Sequence, residues 1–414
     1  MWTRLLLAAA SLALISAGCA SSEAKPHRVK LPHQATNAVA PWITTQNGRF
    51  VDARSGSPVV LRGVNVAVNS SSIVYDKAAA MGANFVRISA PWSTVEPTAP
   101  DGSKHQWDEA FLQRLDTAVS DFQKAGVNVL IDFHQFHWSP YFAKVECKQN
   151  VAVCNASGIP NWYYADGRFA DTKNGESDAK EAFWTTEAAR SEDAYAAFAG
   201  MMAARYADAP NVVGYEIFNE PHPGGLGDST AATDTMLQWQ AEIRKVISAV
   251  DPKRTVFIMC RGGGEGVGTA DLKAFGSLDH LALDYHDYFN GIPGIGLTSN
   301  GNDWTPSWPA THNQKAERYA GTASSQAAVL SVPLERTSQW RIPLLIGEWG
   351  IHTGVPGALE YQRQMLDLFD SEGVSWTRWN LARGGGFGLL QATGSPTAEA
   401  IQLENALQAP ATTP

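Results

Sequence analysis

Gly-Tyr-Glu-Ile-Phe-Asn-Glu-Pro-His (214–222) reads as the end of a short buried strand that runs into a polar tip, Asn219-Glu220, closed by Pro221. Leu-Leu-Ile-Gly-Glu-Trp-Gly (344–350) repeats the pattern, with Glu348 hemmed by Gly347, Trp349 and Gly350. Each stretch is an apolar run that delivers one carboxylate to its end. Two such ends in one barrel would bring both carboxylates to one place.

Outward from these stretches, apolar runs alternate with helical patterns. Strands are expected at 62–68, 84–89, 127–133, 212–218, 255–260, 280–285, 342–347 and 374–379. Helical spacing occupies 111–125, 193–206, 233–250 and 358–372, with a last helix near 396–408. This order predicts an α/β fold, a (β/α)8 TIM barrel with long βα loops. A doubly wound sheet is the alternative, but no Gly-rich phosphate loop follows the first strand. Ahead of the barrel, 48–52 and 58–61, joined through Ser55-Gly56-Ser57, read as an N-terminal β-hairpin. The expected organisation is a leader over 1–19, a polar linker over 20–40 and one catalytic domain over 41–410.

Arg4 and the apolar run from Leu5 to Ile15, closed by small residues, form an export signal too short to span a bilayer. Gly18-Cys19 resembles a bacterial lipoprotein site, with Cys19 lipidated as a membrane tether, although Ser16 stands where Leu is usual. The protein is thus expected in the cell envelope or secreted. In that setting Cys147 and Cys154 read as a loop disulfide, and Cys260 as a buried thiol. The net charge is −9 with no basic run, which argues against nucleic acid as a partner. A monomer is expected.

The longest connections, 134–190 and 287–312, both follow strands and so rise from the C-terminal face of a barrel, where active sites sit. They carry Trp138, Tyr141, Trp162, Tyr163, Tyr164 and Trp184, then Tyr288, Phe289, Trp304 and Trp308. Flat aromatic faces suit pyranose rings; the competing reading is that they pack their own loops. Strand ends add Arg87, whose guanidinium among apolar neighbours needs a carboxylate partner, then His134, His286, Tyr288 and Trp379. Paired carboxylates among such groups are what a glycosidase requires.

The ordered set Arg-Gly-Val-Asn (62–65), Arg87, His134, Asn219-Glu220-Pro221, His286-x-Tyr288, Glu348-Trp349-Gly350 and Trp379 resembles glycoside hydrolase family 5, the cellulase family of retaining (β/α)8 glycosidases. The resemblance implies Glu220 as acid/base and Glu348 as nucleophile, with Arg87 and Tyr288 supporting the latter. It implies His134, Asn219 and His286 lining the subsite at the bond and Trp379 as its floor; Trp138, from the aromatic loop, is expected as a further sugar contact. The carboxyl groups should then lie about 5–5.5 Å apart. A β-glucan or β-mannan is the default carbohydrate substrate, with no metal and no cofactor. Asp-Phe-His-Gln-Phe-His-Trp-Ser (132–139) also resembles the endoglycoceramidase branch, which leaves a glycolipid or aryl-glycoside substrate as an alternative, but Phe136 replaces that branch's Asp. A non-catalytic sugar-binding lipoprotein is the alternative of another class.

Overall fold

The structure is a computed structural model that describes residues 42–68, 72–146, 157–288, 319 and 321–410. The leader, the linker, Cys19, Cys147, Cys154, Phe289, Trp304 and Trp308 lie outside the described residues.

The described strands are β1 (Ile43–Gln46), β2 (Arg49–Asp52), β3 (Arg62–Ala67), β4 (Phe85–Ser89), β5 (Thr98–Asp101), β6 (Lys104–Gln106), β7 (Asn128–Asp132), β8 (Val212–Glu216), β9 (Thr255–Met259), β10 (Leu281–Tyr288), β11 (Leu344–Gly350) and β12 (Ser375–Arg378). Strands β3, β4 and β7 to β12 pair in parallel, each with its neighbour in this order, and β12 returns to β3. This is the expected closed eight-stranded barrel with helices between strands. The helices are amphipathic where they meet it: helix 109–124 buries Phe111, Leu115, Val119 and Phe122 at helical spacing, and the Asp108 side chain caps its first turn.

The hairpin is made differently from the expectation. Segment 49–52 pairs in full with β1, and the 58–61 run joins it only at the Val51–Pro58 bridge, flanked by Asp52 N–H to Ser57 O at 3.0 Å and Val59 N–H to Phe50 O at 2.9 Å. The tight turn between β1 and β2 has a physical cause. Asn47 and Gly48 both take positive φ, 50° and 77°, as a two-residue hairpin turn demands. The hairpin instead sends Ile43 and Phe50 into the bottom of the barrel, against Leu61, Phe85, Leu130, Val213, Phe257, Ala282 and Leu345. That apolar layer closes the N-terminal mouth, so the polar interior opens only at the other end.

Alternation along a strand would send Leu345 and Gly347 to one face and Glu348 to the other. A register shift overrides it. Tyr285 pairs with Ile346 but His286 pairs with Glu348, so Gly347 is the extra residue of a bulge. Glu348 is thereby turned inward, and Trp349 outward onto Phe369 of helix 358–372, ring centroids 5.2 Å apart. Gly347 donates its N–H to Asp284 Oδ1 at 2.8 Å, and a Cβ there would collide with that carboxylate. Gly347→Ala is therefore expected to lower the unfolding free energy by about 3 kcal/mol or more. Gly102→Ala, at a turn with φ 60° and open space around it, should cost about 1 kcal/mol. Urea midpoints compare them; equal, small effects would contradict the bulge.

Candidate active site

Arg87 stands in β4, fully buried on the barrel axis. Its Nε and Nη2 grip Glu216 bidentately at 2.6 and 2.9 Å. Nη2 also donates to Asn219 Oδ1 at 2.6 Å, and Nη1 to Asn65 Oδ1 at 3.0 Å and to Glu348 Oε1 at 2.7 Å. Asp132 lies 3.1 Å and Asp284 3.7 Å away. Burial alone would weaken a cation here, but Asp132, Glu216 and Glu348 hold the guanidinium well above its ordinary pKa.

The other oxygen of Glu348 accepts from Tyr288 Oη at 2.6 Å. Both Glu348 oxygens are thus hydrogen-bond acceptors, the arrangement suited to a carboxylate nucleophile. Tyr288 reaches it because β10 runs to residue 288, beyond the expected 285, so Asp284, His286 and Tyr288 share one inward face.

Glu220 lies beyond β8, which ends at Glu216, and takes φ 40°. Its carboxylate is not at a strand tip as the sequence suggests, but in the loop after it. Its Oε1 meets His286 Nδ1 at 2.7 Å, and the side chain is 13% exposed. Burial pushes the Glu220 carboxyl up to about 7, against the restraining charges of His134 and Arg87. Burial likewise drives His286 down to about 3, so its imidazole is neutral near pH 7. An oxygen of Glu220, an oxygen of Glu348 and a ring nitrogen of His286 all lie within 4.8 Å of one another. That closeness fits the short carboxyl separation of enzymes in which the second carboxylate attacks directly.

His134 completes the polar ring. Its Nδ1 lies 2.7 Å from Asp132, and its ring lies 9° from parallel with Trp379, centroids 5.8 Å apart. Burial opposes a charge on His134, but Asp132 raises it above its ordinary value. The structure therefore brings together Arg87, His134, Asn219, Glu220, His286, Tyr288, Glu348 and Trp379. Trp138 is the exception. It is 1% exposed, donates its indole N–H to Tyr164 Oη at 2.9 Å and packs on Phe183, Trp184 and Phe218. It belongs to the packing of its own loop, as do Tyr163, Tyr164 and Trp184, and has no face for a sugar.

Sequence reading missed Asn65, Asp132, Gln135, Glu216, Met259 and Asp284 as site residues. Three of these had a signal: Asp132, Glu216 and Asp284 each interrupt an apolar strand, and such carboxylates are the natural partners of a buried arginine. Among the described residues, two trios could offer ligand atoms to a cation: Glu216, Asp284 and His286, and Glu220, His286 and Glu348. Arg87 already supplies a positive charge beside the first; the second is the carboxylate pair itself.

A carboxyl with a folded-state pKa near 7 and an ordinary unfolded value near 4.3 keeps its proton longer in the native state. Its contribution to stability is complete below about pH 4.3 and is lost as pH rises through 7. Glu220→Gln, which has no charge to bury, should therefore gain on the wild type with rising pH, on the order of 1–3 kcal/mol more at pH 8 than at pH 4. Thermal unfolding at several pH values reads this, and a difference independent of pH would contradict a buried, proton-holding Glu220.

The cellulase family, glycosyl hydrolase family 5, matches residues 52–385. The chain is 27% identical over 212 residues to the probable mannan endo-1,4-beta-mannosidase A of Aspergillus oryzae, covering 49% of this chain and 45% of that protein. It therefore spans under half the length of that relative. Among solved structures, an endogalactoceramidase superposes with a TM-score of 0.66 at 20% identity, covering 89% of this chain and 84% of the other. The lactosyl-enzyme intermediate of endo-glycoceramidase II from Rhodococcus sp. superposes with a TM-score of 0.64 at 21% identity, covering 88% and 80%. These two likenesses establish the same barrel. The family match over residues 52–385 goes further: the chain belongs to glycosyl hydrolase family 5, the cellulase family.

Proposed function

We propose that the chain is an exported, retaining β-glycoside hydrolase that cleaves a β-linked polysaccharide or oligosaccharide by double displacement. The observation that carries this reading is the approach of Glu220 and Glu348 to within 4.8 Å at one oxygen each. Glu220, whose buried carboxyl titrates near 7, protonates the departing glycosidic oxygen as Glu348 attacks the anomeric carbon. The C–O bond to the leaving group breaks, and the bond to the Glu348 oxygen forms. Glu220, now ionised, takes a proton from water as that water attacks the glycosyl-enzyme ester, and Glu348 departs as a carboxylate. Arg87 and Tyr288 hold the Glu348 oxygens in line and receive its charge when it leaves. Asn219 uses one Nδ2 hydrogen on Gln135 and keeps the other for a sugar hydroxyl.

β-Mannan and β-glucan are the substrates to test first, β-mannan because of the mannosidase relatives. Phe136 stands where the endoglycoceramidase branch would carry Asp, which favours a polymeric glycan over a glycolipid. The leader over 1–19, with Cys19, supports a place in the envelope or outside the cell.

A panel of β-mannan, β-glucans, β-galactan, aryl β-glycosides and a glycosphingolipid tests the reading on envelope and medium fractions of expressing cells. Activity is expected on at least one β-mannan or β-glucan, with the β anomer appearing first by proton NMR. Above about pH 7 kcat/KM on the polymer should fall as Glu220 loses its proton. Glu348→Ala should abolish turnover. Glu220→Ala should spare the first step for dinitrophenyl glycosides, and azide should then accelerate the second. An α product, or full polymer activity in Glu220→Ala, overturns the reading.

A further inference from the structure

The two carboxylates are held by different means. Glu348 sits inside β11, where the parallel ladder fixes its backbone. Glu220 lies four residues past the end of β8 with φ 40°, a left-handed conformation that a non-glycine residue keeps only when its surroundings over-determine it. No strand ladder does so here. Side chains from the loop after β7 and from the end of β9 do.

From the β7 side, Gln135 spends both amide hydrogens on consecutive carbonyls, Asn219 O at 2.8 Å and Glu220 O at 2.6 Å. Its own carbonyl accepts from Asn219 Nδ2 at 2.8 Å, and its Oε1 accepts from Trp138 N at 3.2 Å. From the β9 side, Met259 Sδ accepts the N–H of Glu220 at 3.2 Å. A thioether is a weak acceptor and is rarely used for a backbone donor. This one is locked: Gln240 bonds both the N–H and the C=O of Met259, at 3.1 and 2.9 Å. Beyond Glu220, Gly262 donates to Pro221 O at 2.9 Å. Gly263 lets the same loop lie against His286, because a Cβ there would stand 2.8 Å from His286 Cβ.

We propose that Gln135 and Met259 form a two-sided clasp on the backbone of Glu220, and that both are positioning residues for proton transfer. The proposal rests on the acid/base reading of Glu220 given above. Neither side chain touches the scissile bond; each acts by holding the Glu220 peptide so that its carboxyl meets His286 and the leaving oxygen. Burial favours this role, since Gln135 is 5% and Met259 0% exposed, and a lost partner in such a place is not replaced by water. It also sets the two arms apart. Met259 acts on the Glu220 peptide alone, whereas Gln135 holds Asn219 as well, so its loss reaches the Asn219 sugar contact along with the acid/base.

Gln135→Leu and the volume-conserving Met259→Leu test this against wild type, on phenyl and 2,4-dinitrophenyl β-glycosides of the sugar that wild type accepts. Phenoxide needs a proton to leave and dinitrophenoxide does not. Since general acid catalysis contributes about 10²–10⁴-fold, Gln135→Leu should lose on the order of 10–100-fold in kcat/KM on the phenyl glycoside and about 10-fold less than that on the dinitrophenyl one, where only the Asn219 contact suffers. Met259→Leu should lose about 3–10-fold on the phenyl glycoside alone. Equal losses on both substrates, or none on either, overturn the clasp. A turnover-independent arm separates this from a failure of the functional reading: carbon-13 NMR titration of the Glu220 carboxyl. Its pKa should fall in both variants as the side chain swings toward solvent, and an unchanged titration overturns the proposal even if no substrate is found.

Discussion

One guanidinium organises the open end of this barrel. Arg87 is sealed from solvent and meets Glu216, Asp132, Asp284 and Glu348, with Asn65 and Asn219 as neutral partners. A buried ion pair need not stabilise a fold, because desolvation offsets much of the attraction. Its value here is geometric. Planar and always charged, the side chain ties β3, β4, β7, β8, β10 and β11 to one point, and all other site geometry is measured from it. The surplus of acid around it has a consequence: burial, with carboxylate repulsion added, pushes Glu216 to about 7 and Asp284 well above the ordinary range, so the cluster retains protons near neutrality.

The same buried setting separates the roles of the two outer carboxylates. Glu348 has a cation on one oxygen and a phenol on the other. Among the described residues, the Glu220 carboxyl has a neutral imidazole at hydrogen-bond distance, and burial raises it. Two residues of one type, with one oxygen of each within 4.8 Å of the other, are thereby given different surroundings. That division is what double displacement requires.

Much of this was legible in the chain. The barrel strands fall within a few residues of where apolar runs place them, because strands covered on both faces leave a continuous apolar signature. The polar residues that interrupt or end those runs mark the site for the same reason. Three features were not legible. Gly347 makes the bulge that turns Glu348 inward, and a lone strand glycine only hints at one. Asn47-Gly48 turns the fully paired hairpin, with positive φ at both central residues, while the Ser55-Gly56-Ser57 link closes only one bridge, Val51 to Pro58. Trp138 and its neighbours became the core of their own loop, because a long connection over a barrel must bury apolar surface of its own before it can offer any to a ligand. Composition cannot distinguish a packed tryptophan from a sugar platform.

The central claim is that Glu348 forms a covalent bond to sugar while Glu220 does not. Incubation with a 2-deoxy-2-fluoro β-glycosyl donor slows both steps and lets the first product accumulate. Mass spectrometry of the digested protein then locates the adduct. One fluoroglycosyl group on the peptide containing residues 344–350, attached at Glu348, is the result this account predicts. An adduct on Glu220, or a protein that turns over its substrate yet never carries a glycosyl group, would contradict it.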